Sequence, residues 1–470
     1  MRPKKTLVLS LLFLGTCVVD SNPLDGSLQH LIERRRAPLL EADFLMAEKL
    51  VAANCTPSSI NDFPPDLFTQ EERMSGAIAI HVVVILYMCG VMGIVCDRYF
   101  VPSLEIISDY CGLPSDVAGA TFMAMGTSAP ELFSSVIGSF ITEGDIGVGT
   151  IVGSAVFNIL GVTALIGLAV GRESLKIDWF PISRDCIAYV LTVVLLIVVI
   201  SDSFVTWYEA CILLLFYALY VTAMIFNSKI ERFSHLTVQR FTASNGEKRP
   251  LIDKQPSVSD ADDDDLPEAI FEVPKGGFFA VALWLIFLPA NIVLACTIPD
   301  LSGRRKFLFP LTFILSIIWI GLSSYVTVWM VTVAGYTLGI PDSIMGLTVL
   351  AAGTSVPEVF SSVLVARRGK GNMALCNLLG SNIFDILFCL GAPWLVKTAY
   401  SARNVWIQSP ALTYTGITLL MTVVMLFLTL IVMRWKVNYK TGIICTFLYG
   451  GFLTMAVLYE FLMFGISNPC

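Results

Sequence analysis

A stretch of ten residues occurs twice in the chain, as GTSAPELFSS at Gly126–Ser135 and as GTSVPEVFSS at Gly353–Ser362. Each copy carries one glutamate, Glu131 or Glu358, inside an otherwise apolar stretch. A charged side chain at the centre of a membrane-spanning helix costs about 2.5–3.5 kcal/mol on insertion scales. Two glutamates in register, each preceded by a proline, are therefore hard to explain by packing and predict a cation site.

Residues close to the glutamates offer further oxygen atoms. Pro130 and Pro357 lack a backbone N–H, so each is expected to break its helix and leave carbonyl oxygens for a cation. Hydroxyl oxygens come from the same two stretches, and main-chain oxygens come from residues one turn earlier: Thr127, Ser128, Thr354, Ser355, Ala124 and Ala351. A second duplicated signature, GSAVFN and GSNIFD, adds Asn158 and Asp385 together with Ser154 and Ser381.

The type of these ligands limits the type of cation. Carboxylate, amide, hydroxyl and carbonyl oxygens suit Ca²⁺ and alkali cations rather than Zn²⁺ or Cu⁺. The three histidines lie outside the duplicated stretches, and Cys376 and Cys389 have no counterpart in the first copy. Imidazole and thiolate are therefore not expected among the ligands.

The composition defines the elements that must position these residues. Of 470 residues, 56% are apolar and 14% are charged, and the mean hydropathy is +0.76. Apolar stretches of about 20 residues recur, which is the length that a helix needs to cross a bilayer. The chain is predicted to be an all-α polytopic membrane protein, and the candidate spans are Ala77–Cys96, Val117–Ile141, Val148–Val170, Cys186–Ile200, Trp207–Phe226, Phe278–Ile298, Leu308–Val333, Ile344–Ala366, Met373–Val396, Leu412–Met433 and Gly442–Phe464.

The regions between and before the spans have their own signatures. Basic residues followed by a short apolar run predict a signal peptide over 1–20. Residues 21–76 are polar and contain Asn54 in a glycosylation sequon, so this segment is expected outside the cell or in a lumen. The segment 228–275 is rich in Lys and Arg and is placed in the cytoplasm.

The duplication extends beyond the decamers. A shift of 227 positions aligns 117–162 with 344–389, with roughly 18 of 46 residues identical. The turn inside the first copy has no Lys or Arg, whereas the turn inside the second has Arg367, Arg368 and Lys370. Because basic residues favour the cytoplasmic side, the two copies are predicted to be inverted, with the site between them.

Inversion sets the number of crossings. The halves 77–227 and 307–466 then hold five spans each, about ten in total. The segment 276–306, which has basic residues on both flanks, is expected to be re-entrant or interfacial. An eleventh full span is the alternative.

At these motifs the sequence resembles the cation/calcium exchanger superfamily, whose α-repeats carry G-[ST]-S-x-P-[ED] and G-S-x-x-[FV]-[ND]. It looks most like the potassium-dependent sodium/calcium exchangers, and the likeness extends to VCDRYFVPSLEIIS before the first copy and to MGLTVLAAGTSVPE in the second. The resemblance covers roughly 77–226 and 283–464. It implies Ca²⁺ between Glu131 and Glu358, with the neighbouring Thr and Ser oxygens, Asn158 and Asp385 completing the cation sites.

The same resemblance associates an acid at the position of Asp385 with potassium dependence. Glu131, Glu358 and Asp385 carry three negative charges when ionised, which Ca²⁺ plus K⁺ would balance, as would several Na⁺. In one respect the chain departs from the family, whose potassium-dependent members usually have aspartate in place of Glu358.

The predicted function is antiport of Na⁺ against Ca²⁺ with K⁺. A potassium-independent exchanger, an H⁺/Ca²⁺ exchanger and a cation channel remain open alternatives. An enzyme is not expected, because the chain has no HExxH motif or nucleophile–base pair. The expected partners are inorganic cations and the lipid bilayer, with no cofactor and no nucleic acid, and the sequence indicates no oligomeric state. The expected location is the plasma membrane or a secretory organelle.

Overall fold

The computed structural model describes residues 59–110, 124–142, 146–171, 174–202, 204–225, 277–301, 307–367, 369, 371–401, 404–407 and 411–459. The predicted signal peptide, the sequon at Asn54, the central loop 228–275 and the charged turn residues 143–145, 368 and 370 lie outside these residues.

The described part of the first half is almost entirely helical. Its helices are α1 (Gln70–Glu72), α2 (Ile78–Val95), α3 (Val101–Tyr110), α4 (Ala124–Thr127), α5 (Ala129–Phe140), α6 (Ile146–Val156), α7 (Thr163–Val170), α8 (Trp179–Ile200) and α9 (Trp207–Ile225). Wider π-helical turns at Arg73–Ala77 and Cys96–Phe100 join α1, α2 and α3, and a third at Phe157–Val162 joins α6 and α7. The strands β1 (Leu175–Lys176) and β2 (Phe204–Val205) flank α8.

The second half repeats this order after an additional helix. Its helices are α10 (Phe278–Thr297), α11 (Phe309–Leu338), α12 (Asp342–Met345), α13 (Ala351–Thr354), α14 (Val356–Arg367), α15 (Gly371–Phe384), α16 (Gly391–Ser401), α17 (Ala411–Val432) and α18 (Tyr439–Leu458). Further π-helical turns are Gly346–Leu350, between α12 and α13, and Asp385–Leu390, between α15 and α16. The strands β3 (Val405–Trp406) and β4 (Lys436–Val437) flank α17.

Among the described residues, nine helices are long and apolar enough to cross a membrane. The pair Asp342–Thr354 and Val356–Arg367 makes a tenth if it counts as one span bent by 47°. The first helix of the first repeat is described only from Ala124 onward. The polytopic all-α architecture predicted from composition is confirmed.

Two short strand pairs fix the relative orientation of the two halves. In the 227-residue register, the link before α8, which contains β1, corresponds to the link before α17, which contains β3. Halves of the same orientation would place β1 beside β3. Instead β1 pairs with β4 and β2 pairs with β3, both antiparallel. The link before α8 therefore meets the link after α17, and the link after α8 meets the link before α17. This pairing requires α8 and α17 to run in opposite directions, so the halves are inverted.

The additional helix α10 continues without interruption through Pro289. The ring of Phe287 stacks on Tyr87 of α2, with ring centroids 5.2 Å apart. At its other end, the carbonyl of Pro299 accepts a hydrogen bond from Thr312 of α11 at 2.9 Å. With 20 residues α10 is long enough to cross a membrane, so the predicted re-entrant or interfacial position and the alternative of an eleventh full span both stay predictions.

Several helices extend beyond the predicted spans. The first span runs over Gln70–Ile107, and α8 begins at Trp179 rather than at Cys186. The sequence signal stopped at Arg184 and Asp185 because charged residues normally end an apolar run. In the fold these two side chains pair, Arg184 Nε to Asp185 Oδ1 at 2.8 Å, and Asp185 is buried. Their mutual neutralisation allows the helix to begin before them.

Glycines let the two repeats approach each other closely. A Cβ atom on Gly346 would come within 2.7 Å of the carbonyl oxygen of Ile146, and one on Gly149 within 3.0 Å of that of Ser343. Side chains at either position would push α6 away from the second repeat. The small residues therefore set the spacing of the helices that hold the site.

Candidate cation site

The two predicted glutamates lie immediately after a break in their helices. Ser128 has φ −92° and ψ 13°, and Ser355 has φ −81° and ψ 10°, which separates α4 from α5 and α13 from α14. Glu131 and Glu358 therefore lie in the first turn of α5 and α14, and neither is exposed. The prolines have the predicted effect, because a helix can begin with proline but cannot continue easily through it.

Hydrogen bonds cross between the two repeats at these breaks. Ser355 donates from Oγ to Glu131 Oε1 at 3.0 Å, and Ser128 donates from Oγ to Glu358 Oε1 at 3.3 Å. Adding 227 to residues 128 and 131 gives 355 and 358, so the two bonds are equivalent in the inverted repeats. Each repeat thus supplies a serine that holds the glutamate of the other.

Four buried oxygen atoms in the two repeats have no hydrogen-bond partner among the described residues. They are Glu131 Oε2, Glu358 Oε2, Asp385 Oδ2 and Asn158 Oδ1, and all four residues are 0% exposed. A buried carboxylate without a partner is strongly unfavourable. Unpartnered oxygens of this kind are suited to bind cations, so this observation fits the ligand set predicted from the sequence.

The other predicted hydroxyl ligands, apart from Ser128 and Ser355, donate within their own helices. Thr127 and Thr354 donate to the carbonyls of Ala124 and Ala351, at 3.4 and 3.3 Å. Those two carbonyls also accept from the main-chain N–H groups one turn later. In the second signature, Ser154 and Ser381 donate to carbonyls three residues earlier. A donating hydroxyl keeps its oxygen lone pairs, which leaves it able to ligate a cation.

Asn158 and Asp385, which are equivalent in the 227-residue register, both lie at the start of a π-helical turn. Asn158 is the second residue of the turn Phe157–Val162, and Asp385 is the first residue of the turn Asp385–Leu390. Such turns are frequent at functional sites, because one extra residue per turn redirects the side chains that follow. The apolar pattern of the sequence does not predict these turns.

Two neighbours of the site were not among the predicted residues. Cys389, set aside because the first copy has no equivalent cysteine, places Sγ 3.7 Å from Asp385 Oδ1. Asn382 is fully buried and accepts a hydrogen bond at Oδ1 from Asn158 Nδ2 at 3.1 Å. One signal for Asn382 was present in the sequence, since GSNIFD has asparagine where GSAVFN has alanine.

The residues around the crossing form a mixed oxygen set. Within the part of the chain that the structure describes, His, Cys, Asp and Glu form no group of three close enough to hold a metal ion. The carboxylates are instead interleaved with serine hydroxyls and an amide. An arrangement of this kind suits hard cations that bind oxygen.

Inverted halves that meet at broken helices with buried polar side chains are the architecture of secondary transporters. The family model described as "Sodium/calcium exchanger protein" matches residues 81–226 and 308–458. The chain belongs to this sodium/calcium exchanger family.

Two human relatives support the assignment. The human protein "Sodium/potassium/calcium exchanger 5" is 41% identical over 451 residues, covering 87% of this chain and 89% of its own. Human "Sodium/potassium/calcium exchanger 4" is 35% identical, covering 89% of this chain and 87% of its own. A solved structure of the sodium-calcium exchanger NCX_Mj covers 82% of this chain and 99% of its own, at 22% identity and a TM-score of 0.44.

Proposed function

We propose that this chain is a secondary active antiporter that exchanges Na⁺ for Ca²⁺ together with K⁺. The observation that carries the proposal is the crossed pair of hydrogen bonds, Ser355 to Glu131 and Ser128 to Glu358, beside unpartnered oxygens of both glutamates. The names of the two human relatives, both sodium/potassium/calcium exchangers, support the choice of ions.

The charge of the site accounts for the combination of ions. Glu131, Glu358 and Asp385, when ionised, carry three negative charges, which one Ca²⁺ and one K⁺ neutralise. Several Na⁺ ions neutralise the same oxygens on the return step. Because the two loads compete for one site, only one of them is carried at a time, which is the condition for exchange.

Movement between outward and inward access requires helices that slide past the repeats. α2 and α11 pack against each other, and each presents a glycine to the helix that follows a break. A Cβ on Gly93 of α2 would lie 3.4 Å from Val356, and one on Gly321 of α11 would lie 3.0 Å from Phe133. Because glycine has no side chain, α2 and α11 place no side chain of their own between themselves and the repeats at these two contacts, which favours sliding.

The proposed orientation follows the charge pattern. The N-terminal segment lies outside the cell or in a lumen, glycosylated at Asn54, and the central loop lies in the cytoplasm. The protein is then an integral protein of the plasma membrane or of a secretory organelle. Its partners are inorganic cations and lipid.

The test is ⁴⁵Ca²⁺ uptake into Na⁺-loaded vesicles that contain the purified full-length protein, with and without external K⁺. Uptake that saturates and requires both internal Na⁺ and external K⁺ is expected. Uptake with Na⁺ alone would retain exchange and contradict the role of K⁺. Uptake that ignores Na⁺ and follows a pH gradient would identify an H⁺/Ca²⁺ exchanger, and flux without a counter-ion would identify a channel.

A further inference from the structure

Asn382 bridges the two repeats through both ends of its side-chain amide. Its Nδ2 donates to the carbonyl oxygen of Ala155 at 3.4 Å, and its Oδ1 accepts from Asn158 Nδ2 at 3.1 Å. Asn382 belongs to the second repeat, whereas Ala155 and Asn158 both belong to the first. All three residues are completely buried.

This chain of bonds determines which atom of Asn158 faces the cation site. A main-chain carbonyl can only accept, so the Asn382 atom beside Ala155 must be the donor Nδ2. The oxygen of Asn382 then points to Asn158, and the Asn158 atom that donates to it must be Nδ2. The remaining atom, Asn158 Oδ1, has no hydrogen-bond partner among the described residues. The amide of Asn158 is thereby fixed with an acceptor, rather than a donor, free to meet a cation.

The equivalent contact in the other direction is missing. Adding 227 to 158 gives 385, and subtracting 227 from 382 gives 155, so the symmetric counterpart of the Asn158–Asn382 pair is Asp385 with Ala155. The methyl group of Ala155 has no N–H to donate. Asp385 keeps Oδ2 without a hydrogen-bond partner among the described residues, and its Oδ1 lies 3.7 Å from the weak thiol donor Cys389 Sγ.

The asymmetry matches the chemistry of the two residues. A carboxylate presents two equivalent oxygens, and either orientation offers an acceptor to a cation. An amide presents one oxygen and one NH₂ group, and the wrong orientation aims two N–H donors at the cation. Only the amide therefore needs a partner that fixes which of its two ends faces the cation, and Asn382 is such a partner for Asn158.

We propose that Asn382 is a positioning residue of the cation site, which binds no cation itself and holds the oxygen of Asn158 toward it. The inference rests on the proposed function only in taking Ca²⁺ as one of the bound ions. Without Asn382, the Asn158 amide can rotate and present its nitrogen, which weakens Ca²⁺ binding.

The experiment measures Ca²⁺ binding rather than transport. Purified full-length protein in detergent is heated at increasing Ca²⁺ concentration, and the Ca²⁺ concentration that gives half of the maximal rise in Tm is recorded. Asn382→Ala is expected to raise this concentration about five- to tenfold, the equivalent of one lost orienting hydrogen bond. Asn382→Leu keeps the branched shape and the number of side-chain heavy atoms, serves as the packing control and is expected to give the same shift.

A double-mutant cycle separates positioning from other roles. Asn158→Ala removes the oxygen that Asn382 is proposed to orient, so adding Asn382→Ala to it should change the half-maximal Ca²⁺ concentration no further. The proposal would be overturned if the two substitutions raised the half-maximal Ca²⁺ concentration independently, so that the increase in the double variant is the product of the two single increases. Asn382 would then act without Asn158. Wild-type affinity in Asn382→Leu would also overturn it, since packing alone would explain the alanine variant.

The outcome for the proposed function is read separately. Wild-type protein that binds Ca²⁺ but fails to exchange it for Na⁺ would refute the antiporter and leave the cycle valid. An antiporter with multiplying effects would refute only the role of Asn382.

Discussion

Replacement of Glu131 by glutamine removes one negative charge from the site and almost nothing else. Glutamine has the same size, and its amide oxygen can still accept the hydrogen bond that Ser355 donates to Glu131 Oε1 at 3.0 Å. The second oxygen, Oε2, has no partner among the described residues and becomes an NH₂ group that cannot ligate a cation. The fold is therefore kept while a charged ligand is lost.

The size of the effect follows from the charge. Two unit charges about 4 Å apart attract by about 4 kcal/mol at an effective dielectric constant of about 20, and a divalent ion doubles this to about 8 kcal/mol. The glutamine oxygen recovers part of the loss, so we expect at least about 4 kcal/mol. That corresponds to about a thousandfold weaker Ca²⁺ binding.

The assay has two readouts. Na⁺-dependent ⁴⁵Ca²⁺ uptake, normalised to the amount of protein in the vesicle membrane, should fall below detection for Glu131→Gln. The Tm without Ca²⁺ should stay equal or rise, because a buried uncompensated charge has been removed, while the rise in Tm on adding Ca²⁺ should disappear. Uptake with a half-saturating Ca²⁺ concentration within tenfold of wild type would refute the assignment of Glu131 as a ligand.

Three further substitutions test other parts of the structure. Asp385→Asn should remove the K⁺ requirement of Ca²⁺ uptake, because Ca²⁺ alone then balances the two remaining charges; unchanged K⁺ dependence would contradict the charge argument. Ser355→Ala removes the donor to Glu131 and should weaken Ca²⁺ binding about tenfold, as expected for one hydrogen bond to a charged group. Equal Ca²⁺ affinity of this variant and the wild type would contradict the role given to the crossed pair of hydrogen bonds. Burial raises the pKa of Asp66, but the hydrogen bond from Arg73 at 3.0 Å and further hydrogen bonds outweigh this, and the net pKa lies below the usual value. The stability that Asp66 contributes is therefore present above about pH 4 and is lost as the pH falls through the lowered pKa. Asp66→Asn should then lower Tm at neutral pH but not at the acid end of the range. An equal loss of Tm at every pH would contradict this prediction.

The chemistry of the site could be predicted from local sequence. A glutamate that follows a proline in an apolar stretch is difficult to explain by packing alone. Its occurrence at equivalent positions in two repeats makes a packing explanation still more difficult. The helix breaks at Ser128 and Ser355 also follow from local chemistry. A proline ring clashes with the carbonyl four residues before it, and each serine lies between that carbonyl and its proline. The apolar stretches gave the spans, with errors where a buried ion pair such as Arg184–Asp185 lies inside a helix.

The inverted orientation was predicted from the charges of two turns, and the structure gives it independent support. The pairing of β1 with β4 and of β2 with β3 joins links that are far apart in the chain. Such pairings depend on how whole helices pack, and no local pattern in four two-residue strands indicates them.

By itself, the sequence predicted which residue types form the proposed cation site, because a charge in an apolar segment requires a partner. The tertiary structure decided which atoms meet. Ser355 with Glu131 and Asn158 with Asn382 are each 224 residues apart in the chain. The free oxygen of Asn158 is defined only after both repeats are packed together, because a hydrogen-bond direction belongs to a pair of groups and not to either residue alone.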